Sequence, residues 1–242
     1  MKIAIVTGAS TGIGRAVALE LAKNNFETYL VARHQESLDE TKKLIEEAGG
    51  QAQVFMADLS LSESVNHLIE EIKSKTQKVD LIANIAGIWH GKDDVYAGRD
   101  FETFDKKVIL DTFGVGIITP FLLVHGLLPL MTSGGKVLNL SGTFENGGKG
   151  WLPYFVSKRA IEDFTVGLAQ ELENKDIQVN CISPSDTGTE AYAKFFPQYM
   201  SEAIEPGAIS QKFVELANPQ NKTTGKIIVM KKGMEPAEHF HY

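Results

Sequence analysis

Apolar and polar positions along the chain fall into two alternating kinds of run. Short, nearly continuous apolar stretches occur at Lys2–Thr7, Glu27–Ala32, Ala52–Met56, Val79–Ala83, Lys136–Leu140, Ile177–Cys181 and Lys226–Met230. Runs of this kind suit strands covered on both faces. Between them, Ile13–Asn24, Glu36–Ala48, Ser62–Lys75, Phe101–Leu128 and Leu152–Asn174 read as helices. This alternation predicts βαβ units, hence an α/β fold. Its core is a doubly wound parallel sheet of about seven strands with helices on both faces. No repeat, low-complexity segment or Pro/Ser linker interrupts the pattern, so one domain is expected over 1–242. A helical stretch at about 188–212 is expected to cover the site as a lid. In such sheets ligands bind beyond the carboxyl ends of the strands, so chemistry is sought in the segments that follow each strand.

Composition narrows the function class. A chain of 242 residues buries a sizeable core without disulfides, and its one cysteine, Cys181, sits in an apolar run as a buried thiol. The net charge is −7 with both signs mixed, and no basic block suggests a nucleic-acid partner. Val108–Met131 is apolar and about long enough to span a bilayer, but it holds Asp111, Pro120, His125 and Pro129. It is expected to be a buried helix, with no membrane partner. The N-terminal apolar stretch is too short for a signal peptide and no small-residue cleavage site follows it, so a cytoplasmic protein is expected. His239 and His241 near the C-terminus are two residues apart, a weak metal pattern, and no metal is expected.

The first chemical signal is Thr7-Gly8-Ala9-Ser10-Thr11-Gly12-Ile13-Gly14, between the first strand and the first helix. Glycines let the backbone turn tightly and approach a pyrophosphate. The helix N-terminus offers free N–H groups and a positive dipole end. Ser10 and Thr11 add hydroxyl donors. A second signal is Tyr154 and Lys158, four apart in a predicted helix and therefore on one face. A lysine ammonium beside a phenol favours the phenolate and prepares the tyrosine for general acid–base work.

The spacing T-G-x-x-x-G-x-G with a later Y-x-x-x-K resembles the short-chain dehydrogenase/reductase family, and the resemblance runs over nearly the whole chain. It implies a Rossmann-type fold and hydride transfer between a nicotinamide cofactor and a small-molecule carbonyl/alcohol substrate. Ala32 then stands where an acid would select NAD(H), and Arg33 follows it with His34. An arginine fork suits a 2′-phosphate, so NADP(H) is expected over NAD(H). Asp58-Leu59 falls near the adenine. Asn84-Ile85-Ala86-Gly87 resembles the family's N-N-A-G, letting the cofactor pass close to Asn84, Ala86 and Gly87. Ser183-Pro184-Ser185-Asp186-Thr187-Gly188-Thr189 resembles P-G-x-V-x-T, which places Pro184, Thr187 and Thr189 at the nicotinamide.

The resemblance also assigns the catalytic group: Ser141 holds the substrate oxygen, Tyr154 transfers the proton, and Lys158 positions the ribose and tunes Tyr154. Ser141 lies 13 residues before Tyr154, the family's common spacing, whereas counting from Asn139 points to Gly142; Thr143 is the alternative hydroxyl. Asp111 replaces a helix asparagine that assists proton relay in the family. Trp89, His90, Phe144, Trp151, Tyr192, Phe195 and Phe196 are candidates for an aromatic substrate pocket, a lid or ordinary core. The apolar faces of Val108–Met131 and Leu152–Asn174 imply a homodimer or homotetramer. Two alternatives stay open: an NADP-binding redox sensor without turnover, and epimerase or dehydratase chemistry on the same fold.

Overall fold

A computed structural model describes residues 1–145 and 147–238; the His239/His241 tail lies outside the described residues. Seven parallel strands form the sheet: β1 (Lys2–Thr7), β2 (Phe26–Ala32), β3 (Gln51–Met56), β4 (Val79–Asn84), β5 (Met131–Leu140), β6 (Gln178–Pro184) and β7 (Lys226–Met230). A two-residue strand, β8 (Ala237–Glu238), adds an antiparallel edge to β7, an eighth strand beyond the predicted seven. The order is β3-β2-β1-β4-β5-β6-β7-β8. The chain therefore reverses its winding between β1 and β4, and a crevice opens at their carboxyl ends.

Each face of the sheet has its own core. One is covered by α1 (Gly12–Lys23), α2 (Gln35–Glu47) and α8 (Pro206–Ala217), around Leu21, Leu30, Leu81, Leu138 and Phe213. The other is covered by α3 (Ser62–Lys75), α4 (Lys106–Phe113), α5 (Thr119–Leu127) and α6 (Leu152–Glu171), around Ile5, Ile72, Ile82, Leu123 and Val179. The short α7 (Glu190–Phe195) lies between β6 and α8.

Two elements differ from the sequence expectation. The single helix predicted over Phe101–Leu128 is divided: α4 loosens into a π turn over Gly114–Ile118 before α5 begins. Close packing requires the small residues there. A Cβ on Gly116 would lie 2.8 Å from the Ser157 side chain, and one on Gly114 would lie 2.7 Å from the Ser60 carbonyl. Lys106–Leu130 is long and apolar enough to cross a membrane by composition, with a mean hydropathy of 1.9 over an 18-residue window, but here it packs along α3 and α6. The expected lid over 188–212 also overlaps α8. Ile209 and Phe213 of α8 are fully buried, so the segment outside the core is 188–205. Its base is tied: Gly188 N–H donates to the Ile204 carbonyl at 2.9 Å and Ile204 N–H to the Asp186 carbonyl at 2.8 Å.

Candidate active site

The glycine loop takes its shape from contacts that exclude side chains. Gly8 has φ +71°, and a Cβ there would lie 3.0 Å from the Ala86 Cα. A Cβ on Gly14 would lie 2.0 Å from the Gly8 carbonyl oxygen, so only glycine fits. The Thr7 hydroxyl accepts from Ile85 N–H at 2.9 Å and Ala86 N–H at 3.2 Å, fastening the loop after β4 to the end of β1. Arg15 bonds the Ser10 carbonyl at 2.7 Å and the Glu40 carboxylate at 2.6 Å, bracing the loop from outside. Thr7 opens the motif read from the sequence, but sequence reasoning did not single out Arg15, whose carboxylate partner Glu40 is distant in sequence. Thr11 precedes α1 as an extended residue, and Ile13 is half-buried beside the cleft.

The residues expected at the adenine follow β2 and β3. Arg33 and His34 are exposed at the end of β2, and Arg33 makes no hydrogen bond or ion pair among the described residues. Asp58 accepts from Ser60 N–H at 3.0 Å and from the Ser60 hydroxyl at 2.8 Å. Burial pushes its carboxyl up, but the Ser60 bonds and the charges of Arg33 and Lys107 outweigh this and hold it below its ordinary range. Leu59 is buried, with its carbonyl held by the Thr119 hydroxyl at 2.6 Å. Asn84 is turned into the sheet, and its amide donates to Asn139 at 2.8 Å. The Asn84 Oδ1 is buried and accepts no hydrogen bond among the described residues.

A cleft of about 400 Å³ opens beyond β5 and β6. Tyr154, Leu140, Ser141, Gly142, Thr143 and Asp186 line its chemical end. Lys158 is buried behind it, its Nζ donating to the Leu140 carbonyl at 2.8 Å and standing 5.4 Å from the Tyr154 ring centroid. Gly87 is flush against both, since a Cβ there would lie 3.2 Å from Lys158 Nζ and 3.6 Å from the Tyr154 ring. The segment after β4 thus touches the Tyr154–Lys158 pair directly. Pro184, Thr187 and Thr189 line the same cleft, with the Thr189 hydroxyl capping α7 by accepting from Tyr192 N–H at 3.2 Å.

Four features bear on the expected catalytic arrangement. Burial, reinforced by Asp186, pushes the Tyr154 phenol above its ordinary range. Burial pulls Lys158 down to about 8, against the opposing charge of Glu162. The Ser141 hydroxyl points not at Tyr154 but at Glu162, a fully buried carboxylate one turn beyond Lys158, at 2.6 Å. Glu162 also accepts from Arg159 at 2.8 Å and from the Ser183 hydroxyl at 3.3 Å. Asp111, near the end of α4, pairs with Lys107 at 2.5 Å.

Aromatic rings wall the rest of the cleft. Phe196 stands 6.3 Å from Trp89, 6.3 Å from Trp151 and 5.3 Å from Tyr192, while Phe144 lies 5.8 Å from Tyr154. His90 packs on Phe195 at 5.3 Å and bonds the Gly91 carbonyl, outside the chemical end. Cys181 is fully buried, and burial pushes its thiol up to about 12.

Comparison with known proteins agrees with this geometry. The family model described as short chain dehydrogenase matches residues 2–199. A fatty acyl-CoA reductase of Acinetobacter baylyi is 33% identical over 185 residues, which span 75% of this chain but 61% of that protein. The uncharacterized oxidoreductase YciK of Escherichia coli is 30% identical, covering 97% of this chain and 94% of its own. The angucycline C-6 ketoreductase LanV, solved with bound NADP, superposes with a TM-score of 0.84 at 26% identity, over 94% of this chain and 93% of its own. With a doubly wound sheet, a glycine-rich turn after β1 and a matching family model over most of its length, the chain belongs to the short-chain dehydrogenase family of oxidoreductases.

Proposed function

We propose that the protein is an NADP(H)-dependent oxidoreductase of a small-molecule carbonyl/alcohol pair, with Tyr154 exchanging a proton with the substrate oxygen. The observation that carries this reading is the buried Lys158 ammonium beside the Tyr154 ring, at the end of the cleft and flush against Gly87. The cradle fits a dinucleotide, because Gly8 and Gly14 let the loop fold tightly onto Ala86 and onto the Gly8 carbonyl just before α1, whose N-terminus favours a pyrophosphate. Gly8, Ser10, Thr11, Gly12, Ile13 and Gly14 would hold the pyrophosphate. Arg33 and His34 would meet the 2′-phosphate, and Asp58 and Leu59 the adenine. The loop of Asn84, Ala86 and Gly87, with Pro184, Thr187 and Thr189, would flank the nicotinamide half. The NADP bound to LanV supports this choice over NAD(H), as does the exposed Arg33, which makes no hydrogen bond or ion pair among the described residues.

When bound, NADPH supplies the reducing equivalents. The chain supplies the proton and the geometry. A phenol held above its ordinary range stays protonated at neutral pH and serves as the acid for carbonyl reduction. Lys158, fixed by the Leu140 carbonyl, presents a positive charge where phenolate forms after the proton leaves. Thr143 offers a cleft hydroxyl for the substrate oxygen, since Ser141 is engaged by Glu162. The test is Tyr154→Phe: turnover of a carbonyl panel should fall roughly 10²–10⁴-fold while NADPH affinity holds. Retained turnover would overturn the assignment.

The same reading includes self-association. Leu110, Ile118 and Phe121 on the α4–α5 stretch and Leu152 and Val156 on α6 are exposed apolar side chains. A second copy would bury them, giving a homodimer or homotetramer.

A further inference from the structure

The first helical N–H of α1, at Gly12, is where the cradle offers its dipole to an anion. That donor is already engaged. The Glu190 carboxylate, the first residue of α7, accepts from Gly12 N–H at 3.2 Å. Thr189 closes the same contact, because a Cβ on Gly12 would meet its methyl at 3.0 Å. Glu190 forms no ion pair among the described residues, and its charge faces the N-terminal turns of α1 and of its own α7. Arg15, three residues after Gly12, is committed to Ser10, Glu40 and Thr41.

We propose that Glu190 is an internal occupant of the pyrophosphate position, displaced when the cofactor enters, and so a residue that sets cofactor affinity. The inference rests on the NADP(H) reading above. Two anions cannot share one N–H group, and a carboxylate left beside a pyrophosphate repels it. The displacement has a defined hinge. The 188–205 segment is tied to the body at Gly188, Asp186 and Ile204, while Glu190 lies just inside that base. α7 also carries Tyr192 and leads to Phe196, the ring shared by Trp89, Trp151 and Tyr192 over the cleft. Release of Glu190 therefore couples cofactor entry to movement of the aromatic wall on the substrate side.

The experiment is a fluorescence titration of the full chain with NADPH, comparing wild type, Glu190→Gln and Glu190→Ala. A 2′-AMP titration, which lacks the pyrophosphate, serves as control. The expected result is NADPH binding at least about five-fold tighter in both variants, with 2′-AMP affinity unchanged. Equal or weaker NADPH binding in the variants overturns the proposal. Equal tightening of 2′-AMP also overturns it, because the effect would then be general electrostatics. No NADPH binding by any form, in protein shown folded by circular dichroism, would instead overturn the cofactor reading itself.

Discussion

The Ser141 hydroxyl donates to Glu162 Oε1 at 2.6 Å, and that bond limits what Ser141 offers the cleft. A hydroxyl has one proton. With it directed at a buried carboxylate, the Ser141 oxygen presents lone pairs only, whereas a substrate carbonyl oxygen needs a donor. Thr143 lines the same cleft, and its hydroxyl makes no hydrogen bond among the described residues. Thr143→Val is therefore expected to lower kcat/KM for carbonyl reduction about ten-fold or more with little change in stability. Ser141→Ala should act the other way. It removes a charge-assisted bond from a buried carboxylate, destabilising the fold by roughly 1.5–3 kcal/mol, with the smaller kinetic effect. Paired urea denaturation and steady-state kinetics on the two variants check this. The reverse ranking would return the substrate-binding role to Ser141.

Asp186 sets the pH at which Tyr154 can act as a base. Burial comes first and the Asp186 charge second in holding the phenol above its ordinary range. Burial likewise leads in raising Tyr192, which also bonds Asp186. Alcohol oxidation needs the phenolate, so its rate climbs with pH as Tyr154 ionises. Asp186→Asn removes a negative charge that opposes ionisation, and the Tyr154 pKa falls. The alkaline rise of kcat/KM for oxidation should then move to lower pH by about half a unit or more. Carbonyl reduction at neutral pH should change less, because the phenol is protonated there in both proteins. A profile that stays in place would show that Asp186 does not act on Tyr154 during turnover.

The sheet was legible because each strand is a short apolar run bounded by polar or glycine-rich sequence. β1 and β7 fall at the predicted residues. The glycine loop and the Tyr154–Lys158 pair were equally legible, since their chemistry depends on local spacing. What escaped depends on partners distant in sequence. Glu162 reads as one more polar helix residue until β5 and β6 bring Ser141 and Ser183 to it. Glu190 gains meaning only when α7 folds back onto Gly12, 178 positions away. The π turn was hidden because Gly114 and Gly116 mark close packing on Ser60 and Ser157, which no helical periodicity records. α8 follows the same rule. Its burial against α1 places in the core a stretch whose first part looked like lid.

Lys136 gives the fold a pH dependence of definite sign. It is buried on β5, donating to Gln178 at 2.7 Å and to the Asn221 carbonyl. Burial leads, with Lys222 adding repulsion, in pulling it from 10.5 to about 8. Between those values the unfolded chain binds a proton that the folded chain does not, so stability rises as pH increases through about 8. Lys158, also at about 8, acts in the same direction. Above about 9 the Cys181 thiol, raised from 9.0 to about 12, works the other way. The window for the test is therefore about pH 8 to about pH 9. There each lysine adds a slope of at most ~1.4 kcal/mol per pH unit. Lys136→Met should reduce the pH dependence of the urea midpoint by about half, Lys158 supplying the remainder. An unchanged slope would show that folding does not lower the Lys136 pKa.

The exposed apolar rows on α4–α5 and α6 make the assembly state testable by charge. Leu110 is 69% exposed and Phe121 is 50% exposed, although both sit in the most apolar stretch of the chain. Phe121 already stacks on Phe164 of α6, with centroids 4.1 Å apart, so the two helices present one continuous surface. Burying such side chains between two copies favours association by ~1.5–3 kcal/mol for each one fully covered. An aspartate placed there would be desolvated without a partner. Leu110→Asp is expected to convert the oligomer to monomer in sedimentation velocity at micromolar protein, with the far-ultraviolet circular dichroism unchanged. Because the cleft beyond β5 and β6 is built within one chain, NADPH affinity should survive the change. A wild type that sediments as a monomer would remove self-association from the functional reading. An oligomer that persists in Leu110→Asp would move the interface to another face.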